Sequence, residues 1–278
     1  MKVAVIGTGT MGIGIAQVFA QCENVDTVYF CTGRSDVKNF GAEKIKNNFE
    51  KLIKKGKIDS DMANKYIAKI KTGNKNITSD SDLLIEAISE DIALKKSVFK
   101  ELDRIVGEKC VFASNTSSIS IGRLSDEINH SLVGMHFFNP VPLMNLVEIV
   151  VTSKTSRDVI NKARYFVELI KKTPIEVYDS PGFVVNRMII PMINQAVEIY
   201  SEGISSLQDI DTAMKLGANH PMGPLELGDL IGLDIVLDIL DVIYEETGNN
   251  KYLPHPLLKK MVAENKLGRK TKVGFYIY

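Results

Sequence analysis

The chain has 278 residues, enough for one large domain or two modest ones with cores of their own. Hydrophobic residues make up 45% and charged residues 24%, and 34 basic side chains balance 34 acidic ones, so no overall charge attracts nucleic acid or an anionic membrane. Three cysteines (Cys22, Cys31, Cys110) without a Cys-x-x-Cys pair exclude a disulfide framework. No His-x-x-x-His or comparable spacing suggests a metal.

Val3–Ile6 reads as a short strand, too brief for a signal-peptide core. No later apolar run approaches the ~20 residues of a membrane span, so a cytoplasmic protein is expected. Glycines follow, then Met11 to Gln21 with helical content. Val25 to Cys31 reads as a second strand, and the Lys-rich stretch from Gly41 to about Ile70 as amphipathic helices. Further strands are expected at Leu83–Ile85, Cys110–Ala113, Leu132–Phe138 and Leu146–Val151, with a helix from Lys95 to Ile105. Strands alternating with helices predict an α/β fold with a doubly wound, mainly parallel sheet. After Ser180-Pro181-Gly182 only helical periodicity remains: Met188, Met192, Ala196 and Ile199 form one stripe, and Ile235, Ile239, Leu240 and Ile243 another. Pro191 should kink the first of these helices. The predicted domains are therefore residues 1–180, of Rossmann type, and 181–278, all-α.

Gly7-Thr8-Gly9-Thr10-Met11-Gly12 is Gly-x-Gly-x-x-Gly between a strand and a helix. Gly7 permits the turn, Gly9 lets the backbone approach a pyrophosphate, and Gly12 lets helix and strand pack closely. With Thr10 and Met11 opening the helix, phosphates would meet its positive N-terminus. A carboxylate usually follows at the end of the second strand to hold the ribose 2′-hydroxyl. Here Phe30-Cys31-Thr32-Gly33-Arg34 occupies that place. Thr32 and Arg34 suit a 2′-phosphate, which favours NADP. The alternative is NAD, with Arg34 a solvated charge and Asp36 on the ribose.

Ser114-Asn115-Thr116-Ser117-Ser118 follows a strand at the carboxyl end of the sheet and offers donors for a carbonyl, or simply a capped turn. His136 ends another apolar strand before Asn139-Pro140. Glu148 lies inside the apolar run Leu146–Val150, where an unpaired charge would be expensive. Pairing the two removes that cost and orients an imidazole for proton exchange, although such a pair can also be purely structural. His130, His220 and His255 are poorer candidates.

Gly7–Ala16, Ser114–Ser118, His136–Pro142, Pro181–Arg187 and His220–Asp229 together resemble the 3-hydroxyacyl-CoA dehydrogenase family, above all its short bacterial 3-hydroxybutyryl-CoA members. The resemblance implies reversible hydride transfer between NAD(P) and C3 of a short-chain (S)-3-hydroxyacyl-CoA, with acetoacetyl-CoA and 3-hydroxybutyryl-CoA as the pair. It implies His136 as general acid/base held by Glu148, and Ser117 and Asn186 bonded to substrate oxygens. Glu90 and Lys95 would lie beside the nicotinamide half of the cofactor, with Asn115 and Lys270 as weaker candidates there. Lys55, and Asn48 where a serine is common, would face CoA. The helical domain would make a homodimer. The rival readings are a dehydrogenase of a free hydroxy acid and a non-enzymatic protein retaining the fold.

Overall fold

The structure, a computed structural model, describes residues 1–33 and 41–278. Arg34 and Asp36 lie outside the described residues. The chain divides into two compact units, Met1–Asp179 and Ser180–Tyr278.

The first unit runs β1 (Lys2–Ile6), α1 (Thr10–Ala20), β2 (Thr27–Cys31), α2 (Gly41–Lys54), α3 (Ser60–Ala68), β3 (Ile70–Gly73), β4 (Leu83–Glu86) and α4 (Ile92–Asp103). It continues with β5 (Val111–Ser114), α5 (Ile121–Ser125), β6 (Leu132–Phe137), β7 (Leu146–Val151), α6 (Arg157–Leu169) and β8 (Thr173–Tyr178). Its strands form one sheet in the order β3-β2-β1-β4-β5-β6-β7-β8. All pairings are parallel except β6 with β7, so the expected doubly wound, mainly parallel sheet is what the chain builds. The order turns outward on both sides of β1 and β4, and ligands of such sheets bind beyond the carboxyl ends at that switch.

The central strands are apolar and buried on both faces, as a sheet covered by helices on each side requires. The helix expected from Lys95 begins earlier, at Ile92, because Asp91 caps it by accepting from the Leu94 amide at 2.8 Å. Two strands that the apolar pattern does not reveal, β3 and β8, form the sheet's edges. Half-exposed on these margins, they need no continuous apolar run, and β8 tolerates Pro174 there.

The second unit contains α7 (Val185–Ser201), α8 (Leu207–Gly217), α9 (Pro224–Ile231), α10 (Leu233–Thr247) and α11 (Pro256–Ala263). Its core is built on Ile190, Ile193, Ala196 and Val197 of α7 against Leu233, Val236, Ile239, Leu240 and Ile243 of α10. This corrects the predicted α7 stripe: Met188 is 70% exposed, so the buried face of α7 is rotated from the one the methionines suggested. In α10 the predicted Ile239, Leu240 and Ile243 are buried, and Ile235 alone of that stripe is exposed. Both faces of α7 carry apolar residues, and periodicity alone cannot choose between them. The tail is not helical: Gly268, Val273 and Ile277 form small antiparallel bridges. Buried Asp229 accepts from the Phe275 and Tyr276 amides at 3.0 and 2.9 Å and holds it.

Candidate active site

The glycine motif forms the turn from β1 into α1, and each glycine is needed for a different reason. Gly7 has φ +126°, and a Cβ there would lie 2.2 Å from the Ala87 carbonyl oxygen. A Cβ on Gly12 would lie 1.8 Å from the Gly7 carbonyl oxygen, so only glycine lets α1 sit on this turn. A Cβ on Gly9 would meet nothing within 4 Å. Gly9 therefore faces open space that a side chain would fill and a diphosphate can use. It is also the N-cap of α1 and makes no side-chain cap bond, so the first amides of the helix point into that space. Gly7, Gly9, Met11, Thr32, Ala87 and Ile88 help to line a groove of about 480 Å³. These residues fit a dinucleotide: a cradle for the pyrophosphate at Gly9, and Thr32 at the end of β2.

His136 and Glu148 are direct partners across the antiparallel β6–β7 pair, so their side chains share one face. His136 Nδ1 lies 2.7 Å from Glu148 Oε2. Glu148 is fully buried and His136 is 5% exposed, so the pair is sheltered from water. The Phe138 ring packs against the imidazole at 4.5 Å between centroids. Asn115 strengthens the same corner: its Oδ1 accepts from the Phe137 amide at 2.9 Å and ties the end of β5 to the residue after His136.

Glu90 gathers the serine-rich turn. Its Oε1 accepts from Thr116 Oγ1 at 2.6 Å, from the Ser117 and Ser118 amides at 2.8 and 3.0 Å, and from the Ser117 and Ser118 hydroxyls at 3.3 and 3.0 Å. Burial raises the Glu90 pKa, but the Lys95 charge and these hydrogen bonds outweigh it and hold the carboxyl below its ordinary range. Ser117, expected on a substrate oxygen, thus donates to Glu90 through both its amide and its hydroxyl.

Lys95 is 1% exposed, with its ammonium 2.6 Å from Glu86 and 3.3 Å from Glu90. It sits beneath the site, where two carboxylates repay its lost hydration. Glu86, not singled out from the sequence, is also fully buried. Burial pushes its carboxyl above the ordinary range, opposed by Lys95, Ser114 and the Ile88 amide. The signal that could have found it is the one that exposed Glu148: a charge closing an apolar run, here Leu83-Leu84-Ile85-Glu86.

Asn48 and Lys55, the residues expected at CoA, have different surroundings. Asn48 lies on α2 and donates from Nδ2 to Gln17 Oε1 at 3.0 Å, so its amide is used in packing α2 on α1. Lys55, just past α2, is exposed. In the second unit, Asn186 stands half-buried in the first turn of α7, and Lys270 is ion-paired with Asp234. Among the described residues no group of three His, Cys, Asp or Glu side chains is close enough to hold a metal ion.

Two family profiles match in tandem. "3-hydroxyacyl-CoA dehydrogenase, NAD binding domain" covers residues 2–180, and "3-hydroxyacyl-CoA dehydrogenase, C-terminal domain" covers 182–278. The chain belongs to the 3-hydroxyacyl-CoA dehydrogenase family. It is 49% identical to the 3-hydroxybutyryl-CoA dehydrogenase of Clostridioides difficile, over 100% of this chain and 99% of that one. It is 40% identical to human mitochondrial hydroxyacyl-coenzyme A dehydrogenase, over 99% of this chain and 90% of that one. Among solved structures, (S)-3-hydroxybutyryl-CoA dehydrogenase PaaH1 from Ralstonia eutropha superposes with a TM-score of 0.94 at 41% identity, covering 100% of this chain and 98% of that one. Membership makes the first unit a dinucleotide-binding domain and the chain an oxidoreductase.

Proposed function

We propose that the chain is an (S)-3-hydroxybutyryl-CoA dehydrogenase, interconverting 3-hydroxybutyryl-CoA and acetoacetyl-CoA. The observation that carries this reading is the buried His136–Glu148 pair, near the carboxyl end of β6 in a sheet whose glycine turn is shaped for a dinucleotide. The bound nicotinamide supplies the hydride chemistry at C3. With Nδ1–H donating to Glu148, Nε2 is the ring nitrogen that exchanges the proton of the C3 hydroxyl. Removing that proton makes the ring an imidazolium, which a carboxylate at 2.7 Å stabilises strongly in so sheltered a place. In reduction the same nitrogen returns the proton. Glu148 also keeps one tautomer and one ring orientation throughout.

Ser117 and Asn186 donate to the substrate oxygens, the Ser117 hydroxyl turning its one proton from Glu90 to substrate while its amide stays bonded to Glu90, which fixes the turn. Lys55 is the residue proposed for a CoA phosphate. NADP is the favoured cofactor, because β2 ends at Cys31 and is followed by Thr32-Gly33, with a hydroxyl and no carboxylate at the strand end to repel a 2′-phosphate. Arg34 is proposed as its charge partner. The second unit is the proposed homodimer contact: it exposes the apolar side chains Met188, Ile204, Leu216 and Ile235, which a second copy would cover. A cytoplasmic location follows from the same reading.

The test is a set of initial rates with acetoacetyl-CoA and with acetoacetate, each with NADPH and NADH. Turnover of the thioester but not the acid supports the reading; equal turnover of the free acid rejects it. A preference for NADH would transfer the ribose role from Arg34 to Asp36.

A further inference from the structure

Glu86 ends β4 with no part of its side chain exposed, and a carboxylate so placed persists only when donors replace its lost water. Three do: Lys95 Nζ at 2.6 Å, Ser114 Oγ at 2.6 Å and the Ile88 amide at 2.7 Å. Each leads to a different part of the site. Ile88 lines the dinucleotide groove together with the glycine turn. Ser114 Oγ accepts from the Thr116 amide at 3.2 Å, at the root of the turn that carries Ser117. Lys95 reaches Glu90 at 3.3 Å, and Glu90 binds the tip of that turn through Thr116, Ser117 and Ser118. The backbone repeats the link, since the Asn115 amide donates to the Glu86 carbonyl at 2.8 Å.

We infer that Glu86 is a positioning residue for the reaction, setting Ser117 through Ser114, Lys95 and Glu90 and setting the groove wall through Ile88. Cofactor groove and serine turn thereby keep one relative geometry. Its kinetic consequence rests on the reaction proposed above; its consequence for dinucleotide binding does not.

The variant Glu86→Gln keeps side-chain volume but removes the charge and turns an N–H₂ toward groups that already donate. With a network of this kind released, misplacement of the turn is expected to lower kcat for acetoacetyl-CoA about 10- to 100-fold. The dinucleotide Kd, read by calorimetric titration of the purified protein, should rise by about threefold or more. Val167→Ala, a buried α6 substitution in the same unit, is the control for lost stability: with its Tm also lowered, kcat and Kd should stay at wild-type values. Ser114→Ala removes one donor and carries the test should Glu86→Gln not fold, with an expected loss of about threefold or more in kcat. The inference is overturned if folded Glu86→Gln keeps kcat and Kd within about twofold of wild type, or if Val167→Ala reproduces its losses. It is equally overturned by a Ser114→Ala enzyme of unchanged kcat. Should the wild type turn over no acyl-CoA, the proposed reaction fails, and the calorimetric comparison of wild type, Glu86→Gln and Ser114→Ala alone decides the inference.

Discussion

Replacing Glu148 by Gln changes one atom type at the point where the imidazolium must be stabilised. In the wild type a charged acceptor lies 2.7 Å from His136 Nδ1, in a strand where Glu148 has no exposed surface. A hydrogen bond to a charged partner contributes about 1.5–3 kcal/mol, against about 0.5–1.5 kcal/mol for a neutral one. The amide of Gln is held in the same place, so the loss is the difference, about 1–2 kcal/mol. At 1.4 kcal/mol per factor of ten, that lowers kcat about 5- to 30-fold. If the amide nitrogen faces Nδ1 instead, the ring takes the other tautomer and the loss grows toward the whole general acid/base contribution, about 10²- to 10⁴-fold. The assay is steady-state reduction of acetoacetyl-CoA at saturating dinucleotide, beside a calorimetric Kd for the dinucleotide and a melting curve. The expected result is a lowered kcat with the dinucleotide Kd unchanged. A folded Glu148→Gln enzyme with kcat within about twofold of wild type would refute the argument and make the pair structural.

The glycine turn separates two effects. Gly9→Ala, whose Cβ meets nothing, should keep the wild-type Tm and weaken dinucleotide binding about tenfold or more, whereas Gly12→Ala, with a Cβ 1.8 Å from a carbonyl oxygen, should lower Tm sharply. Melting curves and titrations on the two variants check this, and a wild-type Tm in Gly12→Ala would contradict it. Asp103 gives a pH prediction. Burial raises its pKa, but hydrogen bonds from the His130 side chain and from the His130 and Asn129 amides outweigh this and hold it below 3.8. A carboxyl lowered on folding adds stability above its unfolded pKa and loses it as pH falls through the folded value, so Asp103→Asn should flatten the fall in stability below about pH 4. Equal acid slopes in denaturant titrations of wild type and variant would rule this out. Burial pushes the Cys31 thiol up to about 11 and raises that of Cys110 further, while Cys22 is only half-buried. Iodoacetamide at pH 8 should therefore label Cys22 first in the native protein, as peptide mass mapping would reveal. For the dimer, sedimentation should give twice the chain mass, and Met188→Lys should shift it toward monomer; a wild type that sediments only as monomer would reject that interface.

The legibility of this chain follows the cost of burying charge. Glu148 betrayed itself because an acid within Leu146–Val150 must have a partner, and the antiparallel register supplies His136 directly opposite. Glu86 gave the same signal at a strand end, but its partners lie on three separate segments that no sequence pattern links. The glycine turn was legible because Gly7 and Gly12 answer local steric demands and Gly9 leaves open space at the start of α1. The central strands were legible because both their faces are buried. The edges β3 and β8 were not, since half-exposed strands need little apolar sequence. In α7, apolar residues on more than one face left the buried stripe ambiguous until its packing against α10 was visible. Asn48, named because it stands where a serine is common, has a partner that no local pattern reveals: its amide donates to buried Gln17 on α1.

The most direct test of the central claim compares wild type and His136→Gln in acetoacetyl-CoA reduction, with dinucleotide binding measured on both proteins. The account predicts robust wild-type turnover and a loss of about 10²-fold or more in the variant, with dinucleotide binding intact. A folded His136→Gln enzyme that binds dinucleotide and turns over at near wild-type rate would contradict it.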